Sequence, residues 1–339
     1  MGIVVAAFLM VISLGAAVWA GGALCFDLVK LGPGSRVYVF SGWCLVCALL
    51  WFVLGPLAGT GVVVAMVAGV AFAWSRIEPK ADSDWMPEFS QGATAEVLDE
   101  GGTDQVLVHD IRRGIWNQSG EAELVFVDRR YRPSDIVALD LLMSYWATPL
   151  LCHPIAIFDF GESVPQGERR LCWSVEARHV ADGGTLSMVQ SFYRAHELIC
   201  MALDERDVLS RRLLSQQGTE VYLYRLQVEP LTARRLFLQY LDIANRLDEH
   251  PRWYNALTTN CLTAVYTQSD VGQLPFDWRL IVNGRLDQYL YDRELLDQSM
   301  PFDELRRRSR VNTLVDREEP LEAWGETIRA KLPGFGAPA

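Results

Sequence analysis

Three long apolar stretches occupy most of the first 76 residues and constrain the fold more than any other feature of the chain. They run roughly over residues 2–26, 37–54 and 58–74. Each is close to the ~20 residues that a helix needs to cross a hydrocarbon core of ~30 Å. We therefore predict a membrane region of three transmembrane helices over residues 1–76, followed by a soluble part.

The first stretch has one feature of a secretory signal peptide, because small residues at Ala17 and Ala20 offer a cleavage site. It lacks the basic region that opens a signal peptide, and its apolar core is too long. These features favour a retained helix.

Basic residues between the stretches bear on orientation. Lys30 and Arg36 lie between the first and second stretches, whereas residues 55–60 between the second and third carry no charge. Taken alone, the positive-inside rule would put Lys30 and Arg36, and hence the C-terminal part, in the cytoplasm.

The soluble part is acidic. The chain has 31 basic and 42 acidic residues, and its membrane region holds only Asp27, Lys30, Arg36 and Arg76 of these. An acidic surface repels phosphate backbones, and no basic stripe is interleaved with aromatic residues. We predict no nucleic-acid partner.

The seven cysteines divide between the two regions. The apolar stretches contain Cys25, Cys44 and Cys47, and the soluble part contains Cys152, Cys172, Cys200 and Cys261. The spacing of Cys44 and Cys47 imitates a redox motif, but at hydrocarbon depth it indicates ordinary packing. Four scattered cysteines are not a disulfide framework, and pairing of Cys152 with Cys172 is left open.

Composition and periodicity divide the soluble part. Residues 77–103, with Pro, Gly and scattered acids, are predicted to be a juxtamembrane linker, so that the folded domain starts near Asp104. Its predicted strands lie at 105–108, 123–127, 195–203 and 220–228. Its predicted helices lie at 134–146 and 230–247, and residues 204–212 are predicted to form a short helix or a turn. The domain is predicted to end near residue 272, and residues 273–339 are predicted to form a C-terminal extension with helices at 286–296 and 302–308.

A β-hairpin is predicted from two β-rich runs at 149–160 and 170–178 that flank a turn-prone segment. Alternation along a strand places His153 on one face, and Ser174, Glu176 and Arg178 on one face of the return strand. Of the five histidines, only His153 has such a polar strand beside it. His153 is therefore the candidate general base.

Cys261 is the candidate nucleophile. Asn260 can cap a helix that runs to about residue 268, which would place Cys261 in its first turn. Unpaired backbone N–H groups and the positive end of the helix dipole stabilise a thiolate there. We therefore expect the pKa of Cys261 to be lowered toward neutrality. The same N–H groups can bind a developing oxyanion.

Other chemistries find less support. The sequence has no Gly-x-Ser-x-Gly elbow, no phosphate-binding Gly-x-x-x-x-Gly-Lys loop and no Gly-x-Gly-x-x-Gly fingerprint. A zinc site formed by Cys152, His153 and Cys172 is disfavoured, because adjacent residues of a strand point to opposite faces. We predict no metal and no cofactor.

Seven segments between residues 104 and 268 resemble the Lnb N-terminal periplasmic domain family. They are Ser-Tyr-Trp at 144–146, His153 with Phe-Asp-Phe at 158–160, Ser-Val-Glu-Ala-Arg at 174–178, Glu-Leu at 197–198, Asp-Glu-Arg-Asp at 204–207, Val-Tyr-Leu-Tyr-Arg at 221–225, and Trp-Tyr-Asn-Ala-Leu-Thr-Thr-Asn-Cys at 253–261. The resemblance implies an α+β fold: a circularly permuted papain-like domain, related to the NlpC and lecithin:retinol acyltransferase groups, with an antiparallel sheet and a cysteine-bearing helix.

The resemblance also implies roles for individual residues. Cys261 is implied as the nucleophile and His153 as its base, with Glu176 orienting His153 and Ser174 behind it. The supporting residues are Asn260 at the oxyanion hole, Arg178, and Tyr254 and Asn255, which either line the site or shape its loop.

Family members commonly carry a few N-terminal spans and hold this domain outside the cytoplasmic membrane, often with basic residues between spans two and three. This chain departs from that pattern because residues 55–60 are uncharged. The resemblance nevertheless implies a multi-pass protein of the inner membrane with a periplasmic catalytic domain.

Some family members are lipoprotein N-acyltransferases. The resemblance therefore implies acyl transfer through a thioester on Cys261, with membrane lipids and lipoproteins as partners. Water and an amine compete for one thioester, so a cysteine amidase, esterase or peptidase is an alternative. An inactive domain that binds an envelope partner is the other.

Overall fold

Apolar helices precede a mixed β-sheet in the computed structural model, which confirms the predicted α+β class. The structure describes residues 3–29, 32–79, 83–98, 104–146, 148–181, 189–216, 218–266, 275, 277–315 and 320–336. The chain divides into two compact units. The first comprises Met1–Ser83, Gly183–Glu197 and Trp253–Asn255, and the second comprises Asp84–Asp182, Leu198–Arg252 and Ala256–Ala339.

Helices α1 (Ile3–Ala23) and α2 (Pro33–Ser75) form most of the first unit. Two segments, Val4–Leu28 and Gly34–Ser75, are long and apolar enough to cross a membrane by length and composition. Helix α2 is interrupted at Gly55, whose φ of 78° and ψ of 170° are not helical. A positive φ suits glycine, and Pro56 follows without an N–H group to donate.

The parts of α2 on either side of Gly55 contact each other. Cys47 and Val63 are equally far from Gly55 in sequence, and they pack in one cluster with Ala17 of α1. The break therefore lies between the second and third apolar stretches of the sequence. Three separate transmembrane helices remain a prediction.

An eight-stranded sheet forms the centre of the second unit. Its strands are β1 (Thr94–Leu98), β2 (Gln105–Arg113), β3 (Val125–Tyr131), β4 (Ala138–Tyr145), β5 (Cys152–Asp159), β6 (Arg170–Arg178), β7 (Glu197–Asp204) and β8 (Glu220–Arg225). The strand order is β1-β2-β7-β6-β5-β4-β8, and β3 pairs with β2. Strands β2 and β7 are parallel, whereas β5 pairs antiparallel with both β4 and β6.

Most of the predicted strands are confirmed. Strands β2, β3, β7 and β8 lie at the predicted positions, and β5 and β6 form the predicted hairpin, with Ala156 opposite Trp173 and Asp159 opposite Arg170. This register brings the polar residues at the start of β5 beside those at the end of β6.

The helix predicted at 134–146 is wrong, because most of this segment is strand β4. Its apolar positions at 136, 139, 143 and 146 match a helical period, but β4 lies between β5 and β8 and is buried along almost its whole length. A strand that is buried on both faces has a continuous apolar run. Such a run satisfies a helical pattern as readily as a strand pattern.

The helices of the second unit are α3 (Glu205–Ser210), α4 (Pro230–Glu249), α5 (Thr263–Tyr266), α6 (Arg279–Val282), α7 (Leu286–Tyr291), α8 (Phe302–Arg308) and α9 (Leu321–Ala330). They confirm the helices predicted at 204–212, 230–247 and 302–308, and α7 is shorter than the predicted 286–296. The predicted helix end near residue 268 and the domain boundary at 272 lie outside the described residues.

Two predicted boundaries require correction. The predicted linker 77–103 contains β1, which pairs with β2, and Trp85, which forms a β-bridge with Val180. The folded unit therefore begins by Asp84 rather than near Asp104. Residues 273–339 are not a separate extension either, because Trp324 and Ile328 of α9 belong to the hydrophobic core.

The sheet separates two hydrophobic clusters. One contains Leu142, Ile155 and Cys172, and the other contains Leu141 and Cys152. Consecutive residues of β4 thus face different clusters, as alternation along a strand requires. Cys152 and Cys172 are both free thiols and lie in different clusters, so they do not form a disulfide with each other.

Candidate functional site

A buried chain of three polar side chains crosses the β5–β6 hairpin. His153 Nε2 lies 2.6 Å from Ser174 Oγ, and Ser174 Oγ donates to Glu176 Oε1 at 2.8 Å. His153 Nε2 is also 3.4 Å from Glu176 Oε1. His153 is 7% exposed and Ser174 is fully buried. The predicted polar face beside His153 is therefore present, and we call these three residues the relay.

The charge of Glu176 determines how the relay is protonated. Burial alone would raise the pKa of Glu176, but the charge and hydrogen bond of His153, together with the cations Arg212 and Arg211, hold that pKa well below its usual range. An ionised carboxylate only accepts hydrogen bonds, so the Ser174 hydroxyl donates to it. Ser174 Oγ then accepts from His153 Nε2–H. The lone pair of a neutral imidazole is therefore on Nδ1.

Asn260 caps the start of α5, as predicted. Its Oδ1 accepts from the backbone N–H groups of Leu262, at 3.0 Å, and Thr263, at 2.8 Å. This is the usual way in which an asparagine satisfies the first N–H groups of a helix. Cys261 lies two residues before Thr263, where α5 begins, so the prediction that it lies in the first turn of the helix is wrong.

Asn260 does not offer the free donor that an oxyanion-hole side chain requires. Its Nδ2 group donates to Ala256 O at 2.9 Å and to Ile281 O at 3.2 Å. An amide NH₂ has two hydrogens, so both are used. The contacts of the Asn260 side chain thus support a role in shaping the loop rather than its predicted role at the oxyanion hole.

The thiol of Cys261 is buried, with the residue 7% exposed. Burial raises its pKa to about 12, and the negative charge of Glu176 adds to the rise. The backbone N–H groups of Leu262 and Cys261 and the side chain of Asn283 oppose it but do not outweigh it. The expected lowering of this pKa is therefore wrong. The loss of hydration destabilises the thiolate more than the N–H groups at the helix start stabilise it.

Asn283 lies next to Cys261 and was not predicted from the sequence. Its Nδ2 group donates to Cys261 Sγ at 3.0 Å, and its backbone oxygen accepts from Cys152 Sγ at 3.0 Å. The dipeptide Asn283-Gly284 has the composition of a turn. That signal predicts a chain reversal, but it does not predict that Asn283 contacts the thiols of Cys261 and Cys152.

The relay and Cys261 are connected indirectly, through strand β5 and Asn283. Within the described part of the chain no hydrogen bond joins His153 directly to Cys261. Cys152, the residue before His153, donates to Asn283, which in turn donates to Cys261. The charge of Glu176 also acts on the Cys261 thiol. The structure thus brings the predicted base, its orienting carboxylate and the predicted nucleophile to one region.

Arg178 does not join the relay in its described contacts. It donates to the backbone oxygens of Phe89, at 2.9 Å, and Ser90, at 2.6 Å, and its guanidinium lies 4.3 Å from the centre of the Trp85 ring. These contacts attach the beginning of the second unit to β6. They support a role for Arg178 in folding.

Tyr254 and Asn255 belong to the first unit. The backbone N–H of Tyr254 donates to His196 O at 2.9 Å, and the Asn255 side chain donates to Phe192 O at 3.0 Å. Of the two roles predicted for them, these contacts support the shaping of a loop.

The comparisons with known proteins agree with the resemblance seen in the sequence. Residues 123–284 match the family model of the Lnb N-terminal periplasmic domain. The matched segment includes the relay, Cys261 and Asn283. No curated protein and no solved structure matches the chain. Together with the apolar N-terminal helices, the match indicates a membrane-associated protein with a periplasmic domain.

We expect alkylation of Cys261 to accelerate about tenfold per pH unit from neutrality to about pH 10, because its pKa of about 12 leaves little thiolate at neutral pH. Brief iodoacetamide pulses followed by peptide-resolved mass spectrometry measure this rate. Cys200 is an internal control, since burial alone raises the pKa of its thiol, and it should react more slowly. A rate that levels off near pH 8 would show a stable thiolate and contradict the prediction.

Proposed function

We propose that this protein is a thiol-dependent acyltransferase of the cell envelope, with Cys261 as the nucleophile and His153 as its general base. The observation that carries the proposal is the buried relay. It fixes the imidazole with its lone pair on Nδ1 and ends in an ionised carboxylate. A histidine held in this way accepts a proton and is stabilised as the imidazolium ion.

The first half-reaction begins from a neutral thiol. As Cys261 Sγ attacks the carbonyl carbon of an acyl donor, its proton passes to His153 Nδ1. The bond between that carbon and the leaving oxygen then breaks, and the imidazolium gives the proton to the leaving alkoxide. The product on the protein is a thioester. The backbone N–H group of Cys261, which already lies close to the sulfur, is the proposed donor to the oxyanion.

The second half-reaction transfers the acyl group to an amine. The amine nitrogen attacks the thioester carbonyl and gives a proton to His153 Nδ1. The carbon–sulfur bond breaks, and the released thiolate recovers that proton from the imidazolium ion. An amide is formed and the thiol is regenerated, so that no cofactor is needed.

The proposed substrates are membrane lipids as acyl donors and lipoproteins as acceptors. The support is the match of residues 123–284 to the Lnb N-terminal periplasmic domain, together with two apolar segments able to span a membrane. Attachment to the membrane confines the protein to the surface that holds both substrates. The proposed location is the inner membrane, with several spans and the catalytic domain in the periplasm.

A binding domain without catalysis is the second candidate. The observation that favours it is the buried thiol, whose pKa of about 12 is that of an unreactive cysteine. A hydrolase of amides or esters is a variant of the enzyme proposal and differs only in the nucleophile that resolves the thioester.

The test uses full-length protein in liposomes of phospholipid that carries a labelled acyl chain, together with a diacylated lipopeptide with a free amino terminus. A labelled, N-acylated peptide supports the acyltransferase, whereas labelled free fatty acid alone supports the hydrolase.

Either product should disappear in Cys261→Ser and fall steeply in His153→Ala. His250→Ala, at an exposed histidine, is the matched control and should retain activity. Equal product from wild type and Cys261→Ser would rule out thiol catalysis, and no product from either would favour the binding domain.

A further inference from the structure

Asn283 connects the two sides of the candidate site. Its amide group contacts Cys261 Sγ, and its backbone oxygen contacts Cys152 Sγ, each at 3.0 Å. Cys152 directly precedes His153 in β5. One residue therefore ties the sulfur of the proposed nucleophile to the strand that carries the proposed base.

The conformation of Asn283 is costly to the fold. Its φ is 52° with a ψ of −41°, a backbone conformation that residues with a Cβ atom rarely adopt. Its side chain is buried, with the residue 7% exposed, and Oδ1 has no hydrogen-bond partner among the described residues. Strained backbone and unsatisfied buried polar atoms both destabilise a folded chain, and they persist mainly where function requires them.

The neighbouring turn holds Asn283 in this conformation. Gly284 packs so closely on the residues before β5 that a Cβ atom there would lie 2.4 Å from the carbonyl carbon of Leu150. The Gly284 N–H donates to Leu150 O at 3.2 Å, and the Tyr145 hydroxyl donates to Gly284 O at 3.2 Å. Only glycine fits this approach, and the contacts leave the Asn283 side chain directed at Cys261.

We propose that Asn283 is a positioning residue that holds the Cys261 sulfur in place and stabilises the thiolate as it forms. An N–H donor to sulfur binds more strongly once the sulfur is charged, so the contact favours the state that attacks a carbonyl over the resting thiol. This inference rests on the proposed function, because it assumes that Cys261 is the nucleophile.

Other groups that act on the Cys261 thiol come from different elements. They are Glu176 of β6 and the backbone N–H groups of residues 261 and 262. The Cys261 thiol in turn acts on Cys152 of β5 and Tyr240 of α4. A substitution at position 283 leaves all of these in the chain. A change in thiol reactivity can therefore be assigned to the amide of Asn283.

The test is the alkylation rate of Cys261 across the pH range in Asn283→Gly and Asn283→Asp. Glycine adopts the observed φ without strain, so Asn283→Gly should melt at the same temperature as the wild type or higher while losing the amide. We expect its alkylation rate to be about three- to tenfold lower at every pH, with an unchanged slope. Asn283→Asp puts an acceptor and a negative charge beside the sulfur and should react more slowly still.

Glu294→Gly is the matched control, because Glu294 also has a positive φ, of 58°, and is exposed. It makes the same backbone change elsewhere and should leave the rate unchanged. A wild-type or faster rate in Asn283→Gly would overturn the inference while leaving the proposed function standing. Equal turnover in wild type and Cys261→Ser would instead overturn the proposed function, whatever the effect of Asn283 on alkylation.

Discussion

Replacement of Glu176 by glutamine is expected to lower the rate constant of acyl transfer about 10²–10⁴-fold. A glutamine amide can donate to Ser174 Oγ, which frees the serine hydroxyl to donate to His153 Nε2. The imidazole would then carry its proton on Nδ1 and could no longer accept one from Cys261. The substitution also removes the negative charge that stabilises the imidazolium ion.

Separate measurement of kcat and KM identifies this mechanism. In the proposed mechanism the relay acts on proton transfer rather than on substrate contacts, so kcat should fall while KM stays within about threefold of the wild-type value. Glu162→Gln, at an exposed glutamate in the turn between β5 and β6, is the control and should leave both constants unchanged. If kcat of Glu176→Gln remains close to that of the wild type, the relay does not take part in catalysis.

The substitution Asp207→Ala is expected to lower the free energy of unfolding by about 3–5 kcal/mol, because it leaves a buried guanidinium without its partner. Asp207 is fully buried and Arg112 is 1% exposed. The carboxylate accepts from Arg112 Nη2 at 2.6 Å and from Nε at 3.0 Å, and Trp116 Nε1 donates to it at 3.2 Å. Alanine removes all three hydrogen bonds and leaves the charge of Arg112 buried without a counter-ion.

Urea unfolding of the full-length protein in detergent, followed by tryptophan fluorescence, measures this loss. Asp242→Ala removes an exposed carboxylate that pairs with Arg246 one helical turn away, at 2.9 Å. Exposed pairs of this kind contribute little, so the control should unfold close to the wild-type midpoint. Equal midpoints for Asp207→Ala and Asp242→Ala would show that the buried pair does not stabilise the native state.

The relay could be predicted from sequence because it depends on residues that lie close together in the chain. The turn-prone residues between β5 and β6 dictate a hairpin, and alternation along the two strands places His153, Ser174 and Glu176 on one side. The Asn260 cap is equally local, since Asn260 Oδ1 accepts from the backbone N–H groups of Leu262 and Thr263, two and three residues further along the chain. The apolar N-terminal stretches are recognisable for the same reason, as their composition alone matches a hydrocarbon environment.

Strand β4 shows where local patterns stop being sufficient. Its apolar residues match a helical period, but pairing with β5 and β8 outweighs that preference. The predicted start and end of the folded unit, at residues 104 and 272, were also wrong. The short β1 is held by β2, and α9 is held by its packing in the core, and neither contact is visible along the chain.

By itself, the sequence determined which residues are the candidates for catalysis: a histidine on a hairpin with a serine and a glutamate beside it, and a cysteine that follows a helix cap. Only the tertiary structure decided the state of that cysteine and its partner. The pKa of Cys261 is raised because distant segments bury it and bring Glu176 near, and Asn283 reaches its sulfur through a turn more than twenty residues further along the chain. Desolvation and the charges of remote residues depend on the packed fold, so no local pattern encodes them.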